Sequence, residues 1–173
     1  EEEAEMANKN GYSKHNPATP LYTLEEAKRV LPMFRVVEPN LEVKLADNCW
    51  FKLFYAGHVL GACSLEIHVE DKILIFSGDI GQDDDVLMYP PIKPKQADYV
   101  FLESTYGNRI HPQEDVLLEL ESIINNTVNR NGNVVIPSFA VERVQTMMYL
   151  IWQLRKQDRI PNIKYIIDTP MGI

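Results

Sequence analysis

The chain has 173 residues, 45% of them apolar, and a formal net charge of −8. That length and apolar share are enough for a domain with a real core. The acidic balance argues against a broad basic surface for nucleic acid, so any phosphate contact needs locally placed Arg and Lys or metal ions. No apolar run approaches membrane-spanning length and no signal-peptide pattern is visible. Two cysteines, Cys49 and Cys63, sit in or beside apolar strands, where a reduced pair fits better than a disulfide framework.

In chain order, residues 1–8 are acidic and helix-tolerant, and 10–21 hold Gly11, Pro17 and Pro20 and read as a loop. Thr23-Leu-Glu-Glu26 is a capping box, which predicts a short helix ending near Pro32. Residues 36–45 and 50–55 have strand character, with Asp47-Asn48 as a turn. From Ser64 to Val69 the pattern alternates, Leu65, Ile67 and Val69 on one face, Glu66 and His68 on the other. Glu70-Asp71 turns the chain into a more buried strand over 72–76. Residues 81–96 carry acids and prolines and read as a loop before a strand over 98–102.

The periodicity then changes. Residues 112–130 are predicted helical, with Val116, Leu117, Leu120, Ile123 and Ile124 on one face and Asn131-Gly132 as the stop. A strand over 133–136, a helix over 141–157, a strand over 164–167 and a Thr169-Pro170 helix start follow. Such alternation marks parallel α/β units. A boundary near Asn108 therefore separates a strand-rich part from a Rossmann-like part.

Three segments share one grammar: an apolar strand, then a polar residue at its exit. They are Ala56-Gly-His58-Val-Leu-Gly-Ala62, Phe76-Ser-Gly-Asp79-Ile-Gly81 and Leu102-Glu103-Ser-Thr-Tyr-Gly107. His and Asp at strand ends beside flexible glycines are a way to gather ligands around a cation. In the order AGHVLGA, FSGDIG, LESTYGNRIH and VVIPSFAVERVQ, the chain resembles the metallo-β-lactamase fold hydrolases of the β-CASP family, which process RNA and DNA.

The resemblance implies an α/β fold: part of a metallo-β-lactamase αββα sandwich over 1–108, followed by the start of a Rossmann-like β-CASP cap over 109–173. It implies His58 as a metal ligand, Asp79 as a carboxylate bridging two metals, and Glu103 as the catalytic-site acid that positions a ligand or a catalytic histidine. The expected cofactor is zinc, two ions in the complete enzyme, with manganese a possible alternative. The implied reaction is metal-dependent hydrolysis of phosphodiester bonds in single-stranded RNA, internally or from the 5′ end. The implied setting is cytoplasmic, away from membranes, with homo-oligomerisation open. The family's HxHxDH run is absent: His15, His58, His68 and His111 are the histidines, and none lies within nine residues of another. The chain is therefore expected to be an interior segment of a longer protein, and inactive alone. A non-catalytic RNA-processing scaffold and a small-molecule metallo-hydrolase of the wider fold remain the alternatives.

Other residues have plainer readings beside functional ones. Ser138 lies between a strand and a helix, ahead of Arg143, where helix N–H groups and a guanidinium could hold phosphate; capping and an Arg143–Glu142 ion pair are the alternative. Ser104, Thr105 and Tyr106 bring hydroxyls near the site or merely form a turn with Gly107. His68 is expected to be solvated, His111 to sit in a hinge loop, and His15 in a loop. The Asp83-Asp84-Asp85 run lacks calcium-loop spacing and reads as a solvated loop.

Overall fold

A computed structural model describes residues 1–110 and 115–168. The expectations for His111, Pro112 and the Thr169-Pro170 helix start lie outside the described residues. The chain divides into two compact units, 1–38 and 39–173.

The first unit holds two short helices, α1 (Glu2–Asn10) and α2 (Leu24–Val30). The capping box forms as read: Thr23 Oγ1 accepts from the Glu26 N–H at 3.2 Å, and Glu26 Oε2 accepts from the Thr23 N–H at 2.8 Å. A 3₁₀ turn over Leu31–Met33 contains Pro32 and ends the helical run. Asn8 ties the loop between the helices to α1, donating to the Ala18 carbonyl and accepting from its N–H.

The second unit is mixed α/β. Its sheet has five strands in sequence order, β1 (Val43–Ala46), β2 (Cys49–Tyr55), β3 (Cys63–Val69), β4 (Lys72–Phe76) and β5 (Tyr99–Phe101). The first four pair antiparallel, and β5 joins β4 in parallel. The first strand is shorter than the 36–45 run predicts. The turns at Asn48 and Glu70 both use left-handed backbone, φ 56° and 54°, which tight reversals require and non-glycine residues tolerate at a cost. Register puts Cys49 beside Val69 and Cys63 beside Tyr55, so the free cysteines stand at opposite ends of one hairpin.

The alternation read from β3 holds, but its polar face is the better buried. Glu66 is only 8% exposed. It accepts from His68 Nε2 at 2.7 Å and pairs with Lys52 Nζ at 2.7 Å. The His68 ring in turn stacks on Trp50, with centroids 3.6 Å apart. The expectation that His68 is merely solvated is therefore corrected: a buried carboxylate needs partners, and His68 is one of them. The segment from Ile92 to Gln96, with Asn40, lines a cleft of about 290 Å³ over this face.

The α-helical part consists of α3 (Val116–Asn129) and α4 (Arg143–Lys156). Asp115 caps α3 by accepting from the Leu117 and Leu118 N–H groups. Leu120 and Ile124 of α3 pack with Leu150 and Leu154 of α4 and with Ile160. Val116 and Ile123 stay largely exposed, so the buried stripe is narrower than the sequence reading. Both helices stop in the same way. Asn131 (φ 54°) and Asp158 (φ 53°) turn left-handed, and the next N–H bonds back to Thr127 O or Leu154 O. The left-handed seat after α3 is thus Asn131, with Gly132 one step later. The strands expected over 133–136 and 164–167 form no ladder among the described residues: Val135 and Ile166 are 86% and 76% exposed, and a lone pair of short strands is marginal.

Glu142, just before α4, has φ 70° and ψ −61°, and the Arg143 N–H bonds to Val141 O across it, a strained γ-turn. Its side chain accepts from Thr146 Oγ1 at 2.8 Å. Glu142→Ala loses that bond and keeps the strain, whereas Glu142→Gly loses the bond and releases the strain. Thermal unfolding should find the Gly variant more stable than the Ala variant by about 1–3 kcal/mol; equal stabilities would remove the strain argument.

The Glu66 network gives a second expectation. Lys52 and His68 together outweigh burial, the largest single influence, and hold the Glu66 carboxyl below its usual range. A carboxyl lowered by folding stabilises the fold above its unfolded pKa, and that contribution is lost as pH falls through the folded value. Lys52→Met should therefore cost about 2 kcal/mol at neutral pH, and less at about pH 3.5, below the unfolded carboxylate pKa. Urea unfolding at both pH values checks this; an equal loss at each would show that the pair is not the cause.

Candidate metal centre

Strand direction decides which ends meet. Two antiparallel steps carry β2 to β4, so these strands run the same way, and β5 is parallel to β4. The exits of β2, β4 and β5 therefore lie at one end of the sheet. They carry His58, Asp79 and Glu103 respectively.

Glycines let the first two exits touch. Gly57 has φ 74°, and a Cβ there would press on Tyr89 O and Pro91 at 3.0–3.1 Å. At Gly81 a Cβ would overlap the Gly57 carbonyl and crowd the His58 N. The Gly81 N–H also donates to Ala56 O at 2.8 Å. The loop after β4 thus lies directly on the loop after β2, with Asp79 two residues from the crossing and His58 one residue from it. Both side chains are exposed.

The third exit is held by two buried serines. Ser64 Oγ donates to Ser77 O at 2.7 Å, and Ser77 Oγ accepts from the Glu103 N–H at 3.0 Å while donating to Gly78 O. Each serine is 5% exposed. The half-buried Glu103 turns its carboxylate back on its own loop, accepting from the Thr105 N–H at 2.8 Å. The Thr105 N–H, then the Thr105 hydroxyl, keep the Glu103 carboxyl below the usual range, with smaller contributions from the Ile80 N–H and the charge on His58. Glu103 therefore senses both neighbouring loops. The Ser104–Gly107 turn closes through the Gly107 N–H to Ser104 O, so Thr105 serves the site through its backbone as well as its hydroxyl.

The sequence reading missed Ser64 and Ser77. The available signal was a serine at a strand's exit, one step before the Gly-Asp pair, and a second serine opening the alternating run of β3. A hydroxyl buried beside a strand has to find a partner.

The remaining candidates stand apart from this constellation. Ser138 lies in a segment without regular secondary structure, and its Oγ is 3.5 Å from Ile136 O, too long for a firm hydrogen bond. The α4 helix begins five residues later. Glu142 occupies its start, 3.8 Å from Arg143 Nε, so the ion pair weighed as the plainer reading is present. Asp83 pairs with Lys93, and Asp85 Oδ1 accepts from the Leu87 and Met88 N–H groups, so these acids organise their loop. His15 is in a loop, its N–H bonded to Ser13 Oγ.

Among the described residues no group of three or more His, Cys, Asp or Glu side chains could hold a metal ion. The donors at the site are one imidazole and one carboxylate. Both suit zinc chemically, but two donors leave a cation largely hydrated.

No family model matches the chain. It is 35% identical over 118 residues to Ribonuclease TTHA0252 of Thermus thermophilus, covering 68% of this chain and 27% of that protein. It is 31% identical over 133 residues to Endoribonuclease YSH1 of Mycosarcoma maydis, covering 74% of this chain and 15% of that protein. An RNase J-like protein of Methanocaldococcus jannaschii is 27% identical over 154 residues, 87% of this chain and 37% of its own. The chain thus spans well under half the length of each of these relatives. Four motifs in unbroken order, and relatives 31–35% identical over more than two thirds of the chain, lead to one conclusion: the chain belongs to the β-CASP family of metallo-β-lactamase fold proteins.

Proposed function

We propose that the whole protein is a metal-dependent hydrolase that cleaves phosphodiester bonds of single-stranded RNA. The observation that carries this reading is the gathering of the β2, β4 and β5 exits, with His58, Asp79 and Glu103, at one end of the sheet. The names of the relatives, ribonuclease and endoribonuclease, support the same chemistry. Retention of both metal-type donors favours an enzyme over a scaffold, which has no use for them.

In this reading His58, through its imidazole, and Asp79, through its carboxylate, would help to hold zinc, with the remaining ligands supplied by the rest of the whole protein. When bound, such ions lower the pKa of coordinated water to roughly 7 and offset charge on the phosphodiester. Glu103, ionised and tied to Thr105 beside Ile80, keeps the β4 and β5 loops in place and fixes the orientation of its neighbours. Arg143, 59% exposed at its side chain, exchanges Glu142 for a phosphate, and Ser138, five residues before it in sequence, adds a hydroxyl to the same substrate. Residues 1–108 form part of the catalytic domain and 109–173 the start of its cap. The setting is cytoplasmic; no helix among the described residues is long and apolar enough to cross a membrane.

The decisive experiment incubates the whole protein with 5′-labelled single-stranded RNA and zinc or manganese, beside its Asp79→Ala variant. Cleavage should fall more than about 100-fold in the variant, beyond the 10- to 100-fold typical of losing a mere supporting residue. RNA bound but uncut by both proteins would replace the enzyme with the scaffold. The 173-residue chain alone, holding two donors, should leave the RNA intact.

Gly81→Ala tests the loop crossing without touching a donor. Its methyl meets backbone, which cannot swing aside, so the two loops must part. A stability loss of about 1–3 kcal/mol should accompany a drop in bound zinc, read by metal analysis after dialysis. Full zinc retention would mean that the crossing does not set the ligand spacing.

A further inference from the structure

The buried side of α4 is accounted for by Thr146, Leu150 and Leu154. Its other side is not. Met148 and Trp152 are each 52% exposed. Tyr149 and Trp152 stack, with centroids 5.7 Å apart and planes inclined by 25°. Lys156 Nζ lies 4.9 Å from the Trp152 ring centroid. The three residues follow at helical spacing, so ring, ring and ammonium form a ladder along one stripe. Charge sets this helix apart as well. In a chain of net charge −8, its fourteen residues include Arg143, Arg155 and Lys156 and no Asp or Glu.

A half-exposed Trp contributes little to folding while leaving its apolar surface in water. A face joining two π-surfaces to an ammonium, with no acid from its own helix, has the chemistry that holds unpaired bases: rings stack on the aromatics, and a phosphate meets the Lys156 ammonium. Duplex nucleic acid offers no free base faces to such rings. The charge complementarity selects a polyanion over an apolar peptide.

We infer that the Tyr149–Trp152–Lys156 face of α4 binds unpaired nucleotides of a single-stranded RNA, outside the β2–β4–β5 centre. This rests on the proposed RNA substrate for its biological setting, but the binding itself can be measured independently.

The test uses the whole protein and fluorescein-labelled twelve-nucleotide oligouridine, followed by anisotropy without added metal and by cleavage with metal. Trp152→Ala should weaken binding roughly 5- to 100-fold, the range for losing one stacked base. Trp152→Phe should restore most of it, because a ring still stacks. Lys156→Gln should lower the slope of log affinity against log salt by about 0.7, one phosphate contact on a single strand. In cleavage assays the loss should appear in KM, with kcat unchanged. Unaltered oligouridine affinity in Trp152→Ala overturns the inference even if the protein cleaves RNA, and is the result expected if a protein partner covers this face instead. Ring-dependent binding without cleavage sustains the inference and overturns the nuclease reading.

Discussion

The site depends on one backbone contact. Gly81 lies against the Gly57–His58 peptide so closely that no side chain fits between them. Strand direction alone brings the exits of β2 and β4 to the same end of the sheet, but it leaves β3 between them. Two extended neighbours of one strand stand about 10 Å apart, too far for two short side chains to share a cation. The glycine crossing closes that distance by folding one loop over the other. Ser77 then fixes the third exit to the second, and Glu103 answers to both.

A second constraint works on the sheet behind the site. Glu66 is buried on the face covered by Ile92–Gln96 and is satisfied by Lys52 and His68, whose ring rests on Trp50. Such a network contributes little net stability beyond what apolar packing of equal volume supplies. It does set register, because a one-residue slip of β3 would carry Glu66 to the opposite face, turn Leu65 and Ile67 toward the cover, and leave Lys52 opposite the wrong partner. The same loop segment approaches Gly57 through Tyr89 and Pro91, so the covering of the sheet and the crossing at the site belong to one run of chain.

Much of this was legible in residue order. The capping box at Thr23, the alternation of β3 and the turn at Glu70 rest on local rules, and each appears where those rules put it. His58 and Asp79 stood out as candidate donors because each follows an apolar run and sits among glycines, and the structure puts both at one end of the sheet. What escaped the reading depends on neighbours distant in sequence. His68 looked solvated because alternation cannot tell which polar face a later loop will cover. Ser64 and Ser77 are thirteen residues apart and join only through the β3–β4 register. The strands expected over 133–136 and 164–167 had the right composition, but a ladder also needs a paired neighbour. The γ-turn at Glu142 opposes its own residue preference and gives no local signal at all.

The reversal turns have a practical side. Asn48 and Glu70 sit together at the far end of the hairpin, the Glu70 N–H bonded to Asn48 O at 2.9 Å. Seven paired residues of β2 separate them from the exits that carry His58 and Asp79. A seven-residue strand is about 20 Å long, which makes the Asp47 and Asp71 positions natural handles. A dye, a surface tether or a spin label attached there would report on the whole sheet while standing clear of the chemistry, and the strand itself would serve as the ruler.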